Sequence, residues 1–263
     1  DLDVELQPGV RLGHRLVPIQ NVGSYVPGGR YPLIASAFMA VAVAKVAGVP
    51  RVVAVAPPQK GGAGIHPVQL AAIAMAGADE IYAVGGVQAL AAISYGVDGF
   101  GDPVDFLVGA GNMYVTEAKR QLFGTVGIDS LAGPSELAIV ADASADPSIV
   151  AADLLGQAEH GPTSEVVLVT TSSELAQQVL VEIEEQLKVL PTADTARRAW
   201  NDCGAIIVTA SELDACAVID DIATEHLEIQ TEDPEWHFER ISNYGTVFVG
   251  AEATVAYSDK AVR

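Results

Sequence analysis

Short apolar runs rich in valine, isoleucine and alanine recur along this chain, and segments with helical periodicity lie between them. The plainest run is Arg51–Ala56 (RVVAVA), which two prolines follow directly. A strand with apolar side chains on both faces has to be covered on both faces, as happens when helices pack on either side of a parallel sheet. The sequence therefore predicts an α/β fold of the doubly wound, Rossmann-like kind.

The alternation divides into two parts, which predicts two Rossmann-like units in tandem. One predicted domain covers residues 22–132, and the other combines residues 1–21 with residues 133–263, because we expect the first 20 residues to pair with the second unit. The predicted strands are 15–20, 22–26, 51–56, 80–84, 104–108, 136–140, 165–170, 205–209, 226–230 and 246–249. The predicted helices are 33–47, 66–77, 87–95, 113–121, 147–159, 173–188, 194–201 and 211–223.

The charge of the chain excludes one class of partner. There are 34 acidic and 14 basic residues, which gives a formal net charge of −20. Because such a field repels phosphate, we expect neither nucleic acid nor an anionic membrane surface as a partner. No long apolar run or signal segment is found, and Cys203 and Cys216 form no metal or redox motif. A cytoplasmic protein with reduced thiols is the expectation.

A glutamine and a histidine lie three residues apart near the end of a predicted helix, in the stretch 153–161 (DLLGQAEHG). Residues i and i+3 share one helix face, so the amide oxygen of Gln157 and a ring nitrogen of His160 can converge. Zinc accepts imidazole together with oxygen ligands. The pair is therefore a candidate for half of a metal site, with a solvated helix end as the alternative.

Glu225 and His226 are adjacent where a predicted helix gives way to a strand. Neighbouring strand residues point to opposite faces, so both side chains can serve one site only at such a boundary. The pair suggests a general acid and base, with a solvated strand edge as the alternative. Ser135 lacks the G-x-S-x-G motif of serine nucleophiles, so we expect it to act through hydrogen bonds. Asp259 by itself would be assigned to the surface.

Two glycine-rich turns, Gly85–Gln88 and Gly109–Asn112, follow predicted strands and lead directly into helices. In parallel α/β sheets, ligands bind at the carboxyl ends of the strands, where backbone amides can approach a pyrophosphate. Neither turn matches G-x-G-x-x-G, and the stretch Gly61–Gly64 does not match it either. Tight structural turns are therefore the alternative to a dinucleotide site.

Taken together, these segments closely resemble the histidinol dehydrogenase family. The motifs that carry the resemblance are YVPGG (25–29), VGGVQA (84–89), VGAGN (108–112), GID (127–129), AGPSE (132–136), AADLLGQAEHG (151–161), EHL (225–227) and GTVFVG (245–250), followed by Asp259. They run through almost the whole chain. Family segments that precede Asp1 and follow Arg263 are absent from this sequence, and the later one carries the family's fourth zinc ligand, a histidine.

The resemblance implies an enzyme that uses zinc and NAD to oxidise a primary alcohol through an aldehyde to a carboxylate. It implies a catalytic pair, Glu225 and His226, and a homodimer whose active site takes residues from the partner. By motif, the implied zinc ligands are Gln157, His160 and Asp259, and the implied NAD contacts are Tyr25, Gln88 and Asn112. The implied substrate contacts are Ser135, Gln157, His160, His226 and Asp259, to which we add Arg30.

Two basic residues, Arg30 and Lys260, lie in segments that differ from the histidine-pathway pattern. These segments look more like the paralogous sulfopropanediol dehydrogenases, which oxidise dihydroxypropanesulfonate to sulfolactate. A guanidinium group binds a sulfonate through paired hydrogen bonds and repels the ammonium group of histidinol. We therefore expect a sulfonated diol as substrate, with histidinol as the alternative. A non-catalytic binding paralogue and a metal-free dehydrogenase are further alternatives, and either NAD or NADP fits the sequence.

Overall fold

The computed structural model of the chain describes residues 2–28, 32–62, 64–131 and 135–257. It divides into two compact units, Asp1–Gly133 and Pro134–Arg263. Each unit contains a five-stranded parallel sheet with helices packed on both faces. The predicted α/β fold with two Rossmann-like units is therefore confirmed. No helix among the described residues is long and apolar enough to cross a membrane.

The chain begins with an antiparallel hairpin formed by β1 (Leu2–Gln7) and β2 (Val10–His14). These strands form a two-stranded sheet of their own, and their contacts group them with the first unit. The expectation that residues 1–21 pair with the second unit is thus wrong, and residues 15–20 form no strand. The tight turn at Gly9, with φ of +80°, lets the two runs pair locally, and closing so short a loop has a small entropic cost.

The first unit is built around β3, at the centre of its sheet. The remaining strands and helices are β3 (Asn21–Tyr25), α1 (Ile34–Ala37), α2 (Val43–Val46), β4 (Arg51–Val55), α3 (Pro67–Met75), β5 (Glu80–Tyr82), α4 (Gly86–Tyr95), β6 (Phe106–Val108), α5 (Met113–Leu122) and β7 (Gly127–Ile128). A π-helical turn, Phe38–Ala42, joins α1 to α2. The strand order is β5-β4-β3-β6-β7, so the chain adds strands on one side of β3 and then on the other.

Strand β4 shows why the first unit folds as it does. Its residues Val52 to Val55 are completely buried. Val52 and Ala54 pack with residues of α1 and α3, whereas Val53 and Val55 pack with residues of α4 and α5 on the other face. The continuous apolar run therefore predicted correctly that this strand is covered on both faces.

The second unit repeats this architecture. Its elements are β8 (Leu137–Ala141), α6 (Pro147–Ala158), β9 (Val166–Thr170), α7 (Ser173–Leu187), α8 (Ala193–Cys203), β10 (Gly204–Val208), α9 (Glu212–Ile222), β11 (His226–Gln230), α10 (Pro234–Phe238) and β12 (Thr246–Val249), with a 3₁₀ turn at Val255–Tyr257. The strand order is β10-β9-β8-β11-β12. Helices α6, α7 and α8 cover one face of the sheet, and α9 covers the other.

Candidate active site

The side chains of Ser135, Glu225 and His226 lie together at the amino-terminal edge of the second sheet. Ser135 precedes β8 and Glu225 precedes β11, and the first residues of these two strands, Leu137 and His226, are paired neighbours. This edge is opposite to the one at which parallel α/β sheets usually bind ligands. The turns between helices and strands at this edge therefore supply the polar groups.

The three side chains are within reach of one another. Ser135 Oγ donates a hydrogen bond to Glu225 Oε2 at 2.8 Å and lies 3.5 Å from His226 Nδ1. The second carboxylate oxygen, Glu225 Oε1, lies 3.9 Å from His226 Nε2. The His226 side chain is 13% exposed and that of Glu225 is 47% exposed. The arrangement can exchange protons through an imidazole and a carboxylate, and the carboxylate can reach water.

A sharp backbone turn puts Glu225 just outside the strand that His226 begins. Ala223 caps α9 with φ of +52° and ψ of +49°, a left-handed conformation that glycine adopts more readily than alanine. The Glu225 carbonyl accepts the Thr246 N–H at 2.8 Å. Gly245 packs so closely that a Cβ there would lie 2.7 Å from the Glu225 carbonyl oxygen. Since Glu225 is not a strand residue, its side chain does not have to point away from that of His226.

Gln157 and His160 lie at the same edge of the second sheet. Because β8 and β9 are parallel neighbours, the connecting helix α6 returns the chain from the carboxyl edge to the amino edge. Helix α6 ends at Ala158, so His160 lies in the following turn and not on the helix face, which corrects the sequence-based expectation. The His160 N–H bonds the Gln157 carbonyl at 3.1 Å, a tightening that is common in a last helical turn.

Both residues fit a zinc site. Gln157 is buried, and its side-chain Nε2 has no hydrogen-bond partner. Rotating the side-chain amide group by half a turn would exchange its nitrogen and oxygen, and the oxygen, which can be a zinc ligand, would then lie at that position. His160 Nδ1 lies 3.0 Å from the Gly156 carbonyl, which accepts its proton and leaves Nε2 to bind a metal. Asp259 lies outside the described residues, within which no three His, Cys, Asp or Glu side chains converge as metal ligands.

In the first unit, the implied NAD contacts lie at the carboxyl edge of the sheet. The chain runs from β3 to β4 and β5 and then returns to β6 on the other side of β3, so the strand order reverses between β3 and β6. Doubly wound sheets bind nucleotides at such switch points. Tyr25 ends β3, Asn112 follows β6, and Gln88 lies in the first turn of α4.

These three side chains have distinct environments. Tyr25 is buried, and its hydroxyl accepts the Gly86 N–H at 3.2 Å. Gln88 is exposed and lies over the same glycine, since a Cβ on Gly86 would be 2.8 Å from Gln88 Oε1. Asn112 caps α5 by accepting two backbone N–H groups at 3.1 and 3.2 Å. The structure therefore brings Tyr25 and Gln88 to one helix start and Asn112 to the next.

Large apolar side chains are exposed beside these polar ones. Val87 is 45% exposed, Met113 68% and Tyr114 66%, and they lie one or two residues from Gln88 or Asn112 in the chain. Ligand crevices are lined mainly by apolar groups with a few polar ones among them. The exposed surface at this edge of the sheet therefore offers apolar groups suited to flat rings as well as polar groups.

An ion pair that sequence reasoning missed holds the glycine turn at Gly109. Lys119 Nζ lies 2.5 Å from Asp129 Oδ1 and also donates to the Gly109 carbonyl. Asp129 Oδ2 accepts the Gly109 N–H at 2.7 Å. Gly109 has φ of +114°, and a Cβ there would collide with the Tyr25 carbonyl oxygen. Lys119 lies on the same face of α5 as the buried Val115, four residues earlier, but no local motif distinguishes it from a surface lysine.

Arg30 and Lys260, which are expected to favour an anionic substrate, lie outside the described residues. The family model described as histidinol dehydrogenase matches residues 1–262. The chain belongs to the histidinol dehydrogenase family. Its α/β units and the family motifs quoted above agree with that membership.

Three relatives in the histidinol dehydrogenase family illustrate the similarity. A histidinol dehydrogenase homolog from Shouchella clausii is 51% identical over 262 residues, which cover 100% of this chain and 61% of that protein. The sulfopropanediol 3-dehydrogenase of Ruegeria pomeroyi is 46% identical over 264 residues, which cover 99% and 60%. The crystal structure of histidinol dehydrogenase from Elizabethkingia anophelis matches with a TM-score of 0.89 at 36% identity, covering 98% and 59%. The chain thus spans about three-fifths of the length of the relatives it matches.

Proposed function

We propose that the chain forms the catalytic part of a dehydrogenase that oxidises a primary alcohol through an aldehyde to a carboxylate, with NAD and zinc. The observation that carries the proposal is the contact of Ser135, Glu225 and His226 at the sheet edge to which α6 brings Gln157 and His160. Membership in a dehydrogenase family supports an oxidoreductase. The non-catalytic alternative is not favoured, because the acid and base remain within reach of each other.

The chain's own residues divide the proton transfers. His226 takes the proton of the substrate hydroxyl, since an imidazole exchanges protons near neutral pH. Ser135 orients the substrate by hydrogen bonds, and Glu225, which is the more exposed of the pair, takes a proton from the water that adds to the aldehyde. Gln157, His160 and Asp259 would hold zinc. When bound, zinc supplies a Lewis acid that lowers the hydroxyl pKa, and NAD supplies the hydride acceptor.

NAD is proposed to bind at the switch point of the first unit's sheet, between β3 and β6, with Tyr25, Gln88 and Asn112 as contacts. The reversal of strand order between β3 and β6 supports this assignment, as do the exposed apolar side chains of Val87 and Met113. Binding of NAD and of NADP, measured by titration calorimetry, tests the assignment. The Gln88→Ala variant should bind more weakly than the wild type.

The zinc site gives a direct test. We expect His160→Ala to lower zinc affinity by a factor of about 100 or more, because ligands and the groups around them determine affinity together. The measurement is zinc content by elemental analysis after dialysis against a weak chelator. His14→Ala, an exposed histidine on β2, is the matched control and should keep its metal. Full zinc occupancy in the His160 variant would contradict the assignment.

The substrate is proposed to be an anionic, sulfonated diol, and kinetics can decide between it and histidinol. We expect kcat/KM for dihydroxypropanesulfonate to exceed that for histidinol. Arg30→Ala should raise KM for the sulfonate by about 10- to 100-fold, the equivalent of a charge-assisted hydrogen bond of ~1.5–3 kcal/mol. A small uncharged diol should be unaffected. A higher kcat/KM for histidinol would overturn the anionic-substrate assignment.

We further propose a cytoplasmic homodimer whose partner subunit contributes to the active site, as the family resemblance implies. The net charge of −20 supports a small-molecule enzyme with no nucleic-acid or membrane partner. Light scattering of the purified protein measures the mass of the assembly. Mixed dimers of two inactive variants, each mutated at a different site residue, should recover activity if sites are shared.

A further inference from the structure

Two carboxyl groups lie side by side inside the second unit, and we call Asp153 and Glu228 the acid pair. Glu228 is fully buried, and so is Gln230 at 1% exposure. Gln230 Nε2 donates to Asp153 Oδ2 at 2.9 Å and to Glu228 Oε2 at 3.1 Å. Within the described part of the chain, no lysine, arginine or histidine forms an ion pair with either carboxyl group.

Two adjacent carboxyl groups without a cation destabilise the folded protein unless they make interactions that compensate for this cost. Burial without a cation penalises the Glu228 carboxylate, and the adjacent, partly buried Asp153 carboxylate repels it. Burial and then the charge of Asp153 raise the pKa of Glu228 to about 8. Near neutral pH the pair therefore holds one proton, through which the Glu228 carboxyl group bonds Asp153.

The acid pair binds the segment that follows β12. Thr254 Oγ donates to Asp153 Oδ1 at 3.1 Å, and the Val255 N–H donates to Glu228 Oε1 at 3.2 Å. With the two bonds from Gln230, each of the four carboxyl oxygens accepts a hydrogen bond. The pair thus connects residues 254–255 to helix α6 and strand β11 at once.

The course of the chain between β12 and residues 254–255 suggests what these hydrogen bonds do. Strand β12 ends at Val249 at the carboxyl edge of the sheet, but Glu228, which accepts the Val255 N–H, is the third of the five residues of β11, at the middle of the sheet. The chain therefore turns back over the sheet after β12. Asp153 lies one helical turn before Gln157, and Glu228 lies two residues after His226. Residues 254–255 are held beside the elements that carry these site residues.

We propose that Asp153 and Glu228 are positioning residues that fix residues 254–255, and through them the chain that leads to Asp259, relative to the metal-binding end of α6. This inference rests on the proposed function, in which Asp259 is a zinc ligand. An anchor a few residues before a ligand restricts the backbone before the metal arrives. The entropy of ordering that segment is then lost on folding and not on metal binding.

The least disruptive test of the positioning role removes only the Thr254 hydroxyl group. In the full-length protein we expect Thr254→Val to weaken zinc binding about tenfold, as is usual when a group that orients a ligand is lost. Thr254→Ser keeps the donor and should restore wild-type affinity. Thr209→Val is the matched control, since Thr209 Oγ donates to the Ser211 carbonyl at 3.1 Å away from this cluster. Zinc affinity is measured by competition with a chromophoric chelator.

A second pair of variants tests the acid pair itself. Glu228→Gln can still accept the Val255 N–H and can donate to Asp153 in place of the shared proton. It loses only the hydrogen bond from Gln230, which does not hold residues 254–255, so zinc affinity should be unchanged. Glu228→Met has similar size but neither bond, and it should weaken zinc binding more than Thr254→Val does. Melting of the zinc-free proteins shows whether each variant is folded, and the threonine variants keep the test decisive if Glu228→Met is not.

The Asp259→Asn variant distinguishes the assignment of Asp259 as a zinc ligand from the positioning role of the acid pair. If it lowers zinc affinity while Thr254→Val behaves like Thr209→Val, the ligand is correct and the positioning role is wrong. If Asp259→Asn binds zinc like the wild type, the proposed metal site itself is wrong. A loss of affinity in both Asp259→Asn and Thr254→Val, with rescue by Thr254→Ser, supports the inference.

Discussion

Replacing His226 with alanine is expected to slow alcohol oxidation by a factor of ~10² to 10⁴, the usual contribution of a general acid or base. His226 is the sheltered member of the pair, with Ser135 Oγ 3.5 Å from Nδ1 and Glu225 Oε1 3.9 Å from Nε2. No other described residue in this contact is an imidazole that could replace it. Rapid-mixing measurements of NADH formation from the alcohol give the rate of this step.

Glu225→Gln should instead impair the second half of the reaction, from aldehyde to acid, because an amide cannot take a proton from water. The Ser135 hydrogen bond to position 225 can persist in this variant, so the geometry is preserved. Turnover of the aldehyde, supplied directly, is the measurement. Glu212→Gln on α9 is the control and should behave as the wild type. Wild-type aldehyde turnover in Glu225→Gln would show that the two residues do not divide the steps in this way.

Lys119→Met is expected to destabilise the first unit by ~2–4 kcal/mol, toward the lower end for a broken buried ion pair. Lys119 is 3% exposed but Asp129 is 34% exposed, so water partly compensates the carboxylate left behind. The Gly109 carbonyl also loses a donor. Urea unfolding gives the change in free energy. NAD binding should weaken as well, because the turn that leads to Asn112 is no longer held.

Two controls isolate the contribution of this ion pair. Lys188→Met breaks a pair of the same length, 2.5 Å, whose side chains are 61% and 58% exposed, and should cost less than ~1 kcal/mol. Adding Asp129→Asn to Lys119→Met removes the unpaired charge and should recover part of the loss. Equal losses in the Lys119 and Lys188 variants would contradict a structural role for Lys119.

The fold was predictable from the sequence where a residue pattern is compatible with only one structural environment. Val52 to Val55 are apolar at every position, and a strand of this kind has to lie between two layers of helices. Leu2, Val4 and Leu6 alternate with polar residues, which indicates a strand but does not identify the strand that pairs with it. The sequence therefore predicted the two five-stranded sheets correctly but not that residues 2–14 pair with each other in a separate hairpin.

The candidate site was predictable only where its residues are neighbours in the chain. Glu225 and His226 are adjacent, so one element boundary sufficed to suggest that they act together. Lys119 and Asp129, and likewise Asp153 and Glu228, meet only after folding. Each of these charged residues is ordinary in its local segment, and its role depends on burial that the local sequence does not reveal.

The helices near the proposed ligands present their amino-terminal ends in the first unit and a carboxyl-terminal end in the second. Helices α4 and α5 begin at the carboxyl edge of the first sheet, whereas α6 ends beside Gln157 and His160 in the second unit. A helix macrodipole gives its start a partial positive charge and its end a partial negative charge, each worth ~0.3–1 kcal/mol to a neighbouring ion. The starts of α4 and α5 can therefore attract a pyrophosphate without a charged side chain, even in a chain of net charge −20, and the end of α6 favours a metal cation.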